Sequence, residues 1–186
     1  MSATPSTMLP LGTLAPDFNL LDTVSGEMRS LQQLKSSKGT IIMFICNHCP
    51  YVKHILPTLV DLVNEYKQKG ISTIAISSND VANYPNDSPE KMTELAKAWR
   101  NPFAYLYDET QNIAKAYQAA CTPDFYIFDG DLKCIYRGRF DDSTPKNNQS
   151  VTGSDLRNAL DHLLTDQSIL ETQLPSIGCN IKWKES

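Results

Sequence analysis

The chain has 186 residues, 41% of them hydrophobic, and a formal net charge of -4. That is enough apolar material for one sizeable core, and no repeat or linker divides it. The lysines are scattered rather than gathered into a stripe, which excludes nucleic acid and anionic membrane surfaces as natural partners.

Residues 1–13 are expected to form a loose N-terminal arm, because the opening positions are rich in Ser, Thr and Pro and carry no apolar period. No basic residue followed by an apolar run opens the chain, and no apolar run is long enough to span a bilayer. The expectation is a cytoplasmic protein without signal peptide or anchor. The five cysteines are odd in number and too few for a disulfide scaffold, which fits a reducing compartment and working thiols. From Leu14 to Leu20 apolar and polar residues alternate, Ser25-Gly26 supplies a turn, and Leu31 and Leu34 suit a short helix. Together they read as a hairpin placed ahead of the main sheet. Thr40 to Ile45 is a continuous apolar run of the kind that forms a central strand covered on both faces. Val52, Ile55, Leu56, Leu59, Leu62, Val63 and Tyr66 then recur at three- and four-residue spacing, defining the buried face of a helix that Pro57 should bend and Gly70 should end.

Ile71 to Ser77 reads as a second strand, parallel to the first, and Ser78 to Pro89 as a polar loop. Ser88 is placed to cap a helix reaching about Trp99. A short strand at Ala104–Tyr107 and a helix from Gln111 to Ala120 follow. Phe125–Phe128 and Leu132–Arg137 make a hairpin across Asp129-Gly130-Asp131, and Ser154 caps a last helix through Leu164. This order of elements defines an α/β fold over residues 14–167, a sheet with helices on both sides. Residues 168–186 are a tail whose Pro and Gly forbid a helix, while Ile177, Ile181 and Trp183 should dock it on the domain.

The chemistry concentrates where the first long strand hands over to its helix, at Cys46-Asn47-His48-Cys49-Pro50. First-turn amides of a helix have no intrahelical partner, so a thiolate at Cys46 should be stabilised there, with Cys49 one turn on and able to close a small disulfide. Structural zinc would need a second cysteine pair, and Cys121, Cys134 and Cys179 stand singly. Two merely buried cysteines would sit oddly with Asn47 and His48 between them.

The Ala15-Pro16-Asp17-Phe18 opening, the Cys46-Asn47-His48-Cys49 junction and Thr122-Pro123 ahead of a hairpin resemble the thioredoxin-like redoxin group. That group includes the peroxiredoxins and the membrane-associated thiol oxidoreductases, and the resemblance runs from about Leu14 to Leu164. It implies a thioredoxin-like fold, a mixed sheet with helices on both faces and an N-terminal hairpin. It also implies thiol–disulfide exchange without cofactor or metal, in which Cys46 is expected to be the attacking thiolate and Cys49 to resolve the mixed disulfide, and a cis Pro123 that frames, with Thr122, a groove for an extended substrate. The substrate would be a protein disulfide or a small thiol or peroxide, and the electron donor a dithiol such as thioredoxin.

Two alternatives stand beside this reading. Cys49-Pro50 with Cys46 three residues before it resembles the peroxiredoxin pattern Thr-x-x-Cys-Pro. Cys49 would then attack peroxide, with Arg137 or Arg139 as the cation such a site needs. The second alternative is a Cu(I) carrier built on Cys46, Cys49 and His48 or His54. Three further expectations concern single residues. His48, by stabilising the Cys46 thiolate, should make the pair more oxidising than that of thioredoxin. Cys179 is a possible additional redox thiol, reached because Gly178 permits close approach. Cys121, two residues before Pro123, is the geometrically stronger candidate for the same role.

Overall fold

The computed structural model describes residues 3–169 and 171–185. Its strands and helices run β1 (Ala3–Pro5), β2 (Asn19–Asp22), β3 (Met28–Ser30), α1 (Leu31–Leu34), β4 (Thr40–Phe44), α2 (Pro50–Gln68) and β5 (Ser72–Ser77). They continue with α3 (Pro89–Ala98), β6 (Ala104–Tyr107), α4 (Asn112–Ala116), β7 (Cys121–Thr122), β8 (Asp124–Phe128), β9 (Cys134–Gly138), α5 (Ser154–Leu164) and β10 (Ile177–Asn180). A 3-10 turn, Pro85–Asp87, lies between β5 and α3.

Seven strands form the main sheet in the order β3-β2-β6-β5-β4-β8-β9. Neighbours β4, β5 and β6 are parallel and the remaining pairs antiparallel. Alternation along β4 divides the core in two. Ile41 and Met43 face one side with the apolar stripes of α2, α3 and α5, while Ile42 and Phe44 face the other with Leu31 of α1 and Ala114 of α4. Eight residues of α2, from Val52 to Tyr66, are buried on the first side. At ~1.5–3 kcal/mol for each large side chain, that face is ample to fix the helix, and with it the residue at its N-cap. Pro57 sits on the exposed side of α2, and the helix continues through it.

The expectation of a loose arm fails. Ala3–Pro5 pair antiparallel with Ile177–Cys179, Leu9 is 1% exposed, and Thr7 hydroxyl donates to Gln118 O. Three strands thus make a second, small sheet in the order β1-β10-β7. In the tail, Cys179 and Ile181 are buried, whereas Ile177 and Trp183 stay half in solvent, Trp183 lying under the Lys115 ammonium. Smaller differences are local. Gly153 rather than Ser154 takes the N-cap of α5 at φ +67°, because its Cβ would meet Phe140 and Leu62. The helix expected from Gln111 shrinks to Asn112–Ala116, and the Gln111 amide turns inward to donate to Ser78 O and Lys182 O. Among the described residues no helix is long and apolar enough to cross a membrane.

Candidate active site

The strand-to-helix junction brings Cys46 and Cys49 together with Thr122, all buried. Pro50 occupies the first position of α2 and Cys49 its N-cap, since a proline, having no N–H to lose, is favoured where the helix begins. The free first-turn amides therefore serve Cys49, with Val52 N–H directed at it. This corrects the expectation that they would stabilise Cys46.

Cys46 instead lies beside a carboxylate that the sequence reading did not single out. Asp87, fully buried at the end of the 3-10 turn, accepts Asn47 N–H at 2.8 Å and His48 N–H at 3.2 Å on Oδ1. On Oδ2 it accepts His48 Nδ1–H at 2.6 Å and Asn79 Nδ2–H at 2.8 Å. These four donors satisfy a buried charge that would otherwise be strongly unfavourable. They also fix the Cys46–Cys49 loop, which Tyr105 OH secures further by donating to Asn47 Oδ1 at 3.0 Å. His48 stacks on Tyr84 with ring centroids 5.8 Å apart. Its Nδ1 is 3.9 Å from Cys46 Sγ, so the proton on that nitrogen belongs to Asp87 first and to the thiol only as a distant second acceptor. Asp87 was hidden in a loop of ordinary turn residues; the signal that points to it is the loop's position, after a parallel strand at the sheet edge that carries the cysteines.

The two thiols are driven apart in acidity. The Cys46 thiol is pushed up, first because it gives its hydrogen bond to Cys49, then by burial and by the Asp87 charge. Cys49 is held below its ordinary value, first by that same hydrogen bond, with burial opposing and the Thr122, Cys179 and Val52 contacts assisting. When both sulfurs are protonated, Cys49 S–H has Thr122 O at 3.2 Å as its acceptor. A thiolate cannot make that bond, which opposes ionisation at Cys49. The charge still settles there, because the alternative places it beside Asp87 and away from the helix amides. Thr122 hydroxyl completes the group at 3.6 Å from Cys46 Sγ.

The Thr122–Pro123 peptide bond is cis. The expected open groove beside it is not present: Thr122 pairs antiparallel with Cys179 and Cys121 with Asn180, so β10 already occupies the strand position meant for an extended substrate. Gly178 allows this, since a Cβ there would stand 2.0 Å from Thr122 O. Directly opposed antiparallel residues share a face. Cys179 therefore projects to the side of Thr122 that holds the thiol pair, and it packs in the same buried cluster as Cys46 and Cys49. Cys121, one residue earlier, turns the other way. Its Sγ contacts Pro123 O at 3.7 Å, and burial followed by the Asp124 charge pushes its thiol up. Of the two additional thiols considered, the fold brings Cys179 to the pair and turns Cys121 away.

Asp124, next after the cis bond, is 1% exposed. Burial pushes its carboxyl up to about 8, against the hydrogen bond that Tyr126 OH donates to Oδ2, while Oδ1 is buried with no hydrogen-bond partner among the described residues. The candidate cations for a peroxide site are engaged elsewhere: Arg139 Nε with Asp155 at 2.7 Å and Arg137 with Gln173 at 2.8 Å. His54 contacts Ser143 Oγ at 3.2 Å. Ligand atoms of Cys46, His48 and Asp87 do lie within 4.8 Å of one another, but the His48 nitrogen in question is the one donating to Asp87. The arrangement is a hydrogen-bonded triad rather than an open set of soft ligands. A cleft of about 250 Å³ lies beside Pro123, between Tyr51, His54 and Ile177, and no cysteine lines it. Another of about 280 Å³, lined by Tyr136, Ala159 and Leu174, contains no thiol.

A paired thiol at a strand-to-helix junction, facing a cis-proline, on a mixed sheet with helices on both sides, defines the thioredoxin-like class. A thiol:disulfide interchange protein from Bacteroides sp. shares the fold, with a TM-score of 0.63 over 84% of this chain and 91% of that one at 17% identity. The model of the AhpC/TSA family matches residues 11–137, and the chain belongs to that family. A crystal structure of an uncharacterized conserved protein from Geobacillus kaustophilus is similar at 57% identity, with a TM-score of 0.98, covering 100% of this chain and 98% of that one. The thiol-disulfide oxidoreductase ResA of Geobacillus kaustophilus (strain HTA426) is 26% identical over 137 residues, 73% of this chain and 74% of ResA.

Proposed function

We propose that this protein is a thiol–disulfide oxidoreductase whose working pair is Cys46 and Cys49. The observation that carries the reading is the placement of the two thiols at the N-terminus of α2, with Cys49 at its N-cap and both sulfurs against Thr122 beside the cis-proline. Cys49, as thiolate, attacks a substrate disulfide and forms a mixed disulfide. Cys46 then attacks Cys49 Sγ, releasing the second substrate thiol and closing Cys46–Cys49. Asp87 and His48 flank Cys46, where the carboxylate holds the thiol protonated, so that Cys46 ionises only after Cys49 has lost its charge to the mixed disulfide. A dithiol donor of the thioredoxin kind reopens the bridge.

With β10 seated at Thr122, a substrate cannot add as a strand. The substrate we favour is a small disulfide, or a flexible peptide loop entering by the cleft between Pro123 and Ile177. Parallel turnover of a small disulfide, a protein disulfide and hydrogen peroxide, with thioredoxin reductase and thioredoxin supplying electrons, tests this. Disulfide turnover that is lost in Cys49→Ser and reduced in Cys46→Ser is expected. Full turnover by either variant, or a rate with peroxide alone, refutes it.

A further inference from the structure

The thiol pair has a third sulfur as neighbour, carried on the strand that fills the substrate position. β10 runs antiparallel to β7 with Cys179 opposite Thr122. Thr122 is the residue whose hydroxyl faces Cys46 Sγ at 3.6 Å and whose carbonyl lies 3.2 Å from Cys49 Sγ. The register is held from both sides, by β1 pairing Ala3 with Cys179 and by β7, and Gly178 has its Cα pressed against the Thr122 carbonyl. A slip of one residue would turn Cys179 to the opposite face. Beyond the strand, Lys182 N–H donates to Asn79 Oδ1 at 2.8 Å, and Asn79 Nδ2 donates to Asp87. The tail is thereby pinned to the same polar network that shapes the cysteine loop.

We propose that β10 is an internal substrate strand and Cys179 a third redox thiol, so that the disulfide of this enzyme moves between Cys46–Cys49 and Cys49–Cys179. The inference rests on the dithiol reading above for the supply of the first disulfide. Cys179 loses its proton and attacks Cys49 Sγ; the S179–S49 bond forms and the S46–S49 bond breaks. Cys46 leaves as thiolate and takes up a proton, so one disulfide and one thiol become one disulfide and one thiol, with no outside oxidant. The consequence is that Cys46 is set free while the oxidising equivalent is stored under the tail. An incoming dithiol donor then meets a bridge lying at the β1–β10–β7 sheet rather than at the α2 junction.

The full chain is reduced, treated with one equivalent of diamide, an azo compound that takes two hydrogens from a thiol pair, equilibrated, and quenched in acid. It is then alkylated unfolded, and its linked peptides are sequenced by mass. In the wild type both bridges are expected, with Cys49–Cys179 on the order of a tenth or more of the total. In Cys46→Ser, Cys49–Cys179 is expected to be the main intramolecular product, and Cys46→Ala serves as a second background should serine disturb the fold. If the wild type forms Cys46–Cys49 while Cys179 is alkylated in every molecule and neither variant bridges, the third thiol is refuted and the dithiol reading stands. If Cys49–Cys179 forms and Cys46–Cys49 never does, the tail thiol stands and the dithiol reading falls. Absence of both bridges refutes both.

Discussion

Asp124 offers a thermodynamic test of the environment around the cis-proline. Its carboxyl is buried and titrates near 8 in the folded chain, against ~3.9 for an unfolded aspartate. Below pH ~4 both states hold the proton and the residue contributes nothing to the pH dependence. Above that the unfolded chain ionises while the folded chain does not, so the folded state binds more protons and stability falls as pH rises. The fall levels off once pH passes the folded value of about 8. Between pH 5 and pH 8 the difference integrates to about 3 to 4 kcal/mol, at ~1.4 kcal/mol per unit where only the unfolded chain is ionised. Asp124→Asn keeps an acceptor for Tyr126 OH, which donates at 3.1 Å, and removes the titration. Urea unfolding of the reduced wild type and the variant at pH 5, 6, 7 and 8 measures the effect. Subtracting the two profiles cancels every other group that titrates alike in both. The variant is expected to gain on the wild type steadily with pH, by the stated amount over the range. Parallel profiles would refute the reasoning and place Asp124 in contact with a stabilising donor or solvent.

Asp87→Asn removes a charge that raises the Cys46 thiol; in a Cys49→Ser background, alkylation of Cys46 should move to lower pH, and an unmoved profile would remove Asp87 from the electrostatics of the site. Asp87→Ala strands four donors and should lower unfolding stability by roughly 3 kcal/mol, read from a denaturant midpoint. His48→Ala takes away the imidazole N–H that shields Asp87 from Cys46, so equilibration with glutathione should show a pair more reducing by on the order of 30 mV; equal potentials would make His48 a bystander. Gly178→Ala drives a methyl into Thr122 O and should destabilise the chain by roughly 1–3 kcal/mol while hastening alkylation of Cys179, and a silent substitution would contradict the close approach of β10.

What could be read before the structure follows from how local each signal is. The apolar run of β4 and the stripe of α2 announce themselves within a few residues, and the cysteine motif lies between them. Thr122-Pro123 was marked by the hairpin after it. By contrast, Ala3-Thr4-Pro5 has no strand composition, and its partner lies at the other end of the chain; only a non-local pairing makes it a strand. The choice between Cys121 and Cys179 turned on the parity of a two-residue strand, since a shift of one reverses which side chain meets the site. Which cysteine the helix serves likewise depended on a boundary. Placing the first helical residue at Tyr51 or Pro50 looks minor, yet it decides that Cys49 stands at the cap. Asp87 acquires its role from four donors on two separate segments, around residues 47–48 and 79, and nothing in its immediate sequence distinguishes it from a turn residue.

The first and last strands of the chain meet over the thiols, and this bears on how the protein is made. The cysteine motif is synthesised long before Ile177–Asn180, so a growing chain carries its α2 junction and the Thr122 edge with nothing yet laid across them. During that interval the edge can accept a strand from another molecule, and the thiols can react with whatever disulfide is near. Completion of the chain closes the window, as β10 enters between β7 and β1. A chain stopped short of Ile177 would stay in the open form, reactive towards partners that the finished protein turns away.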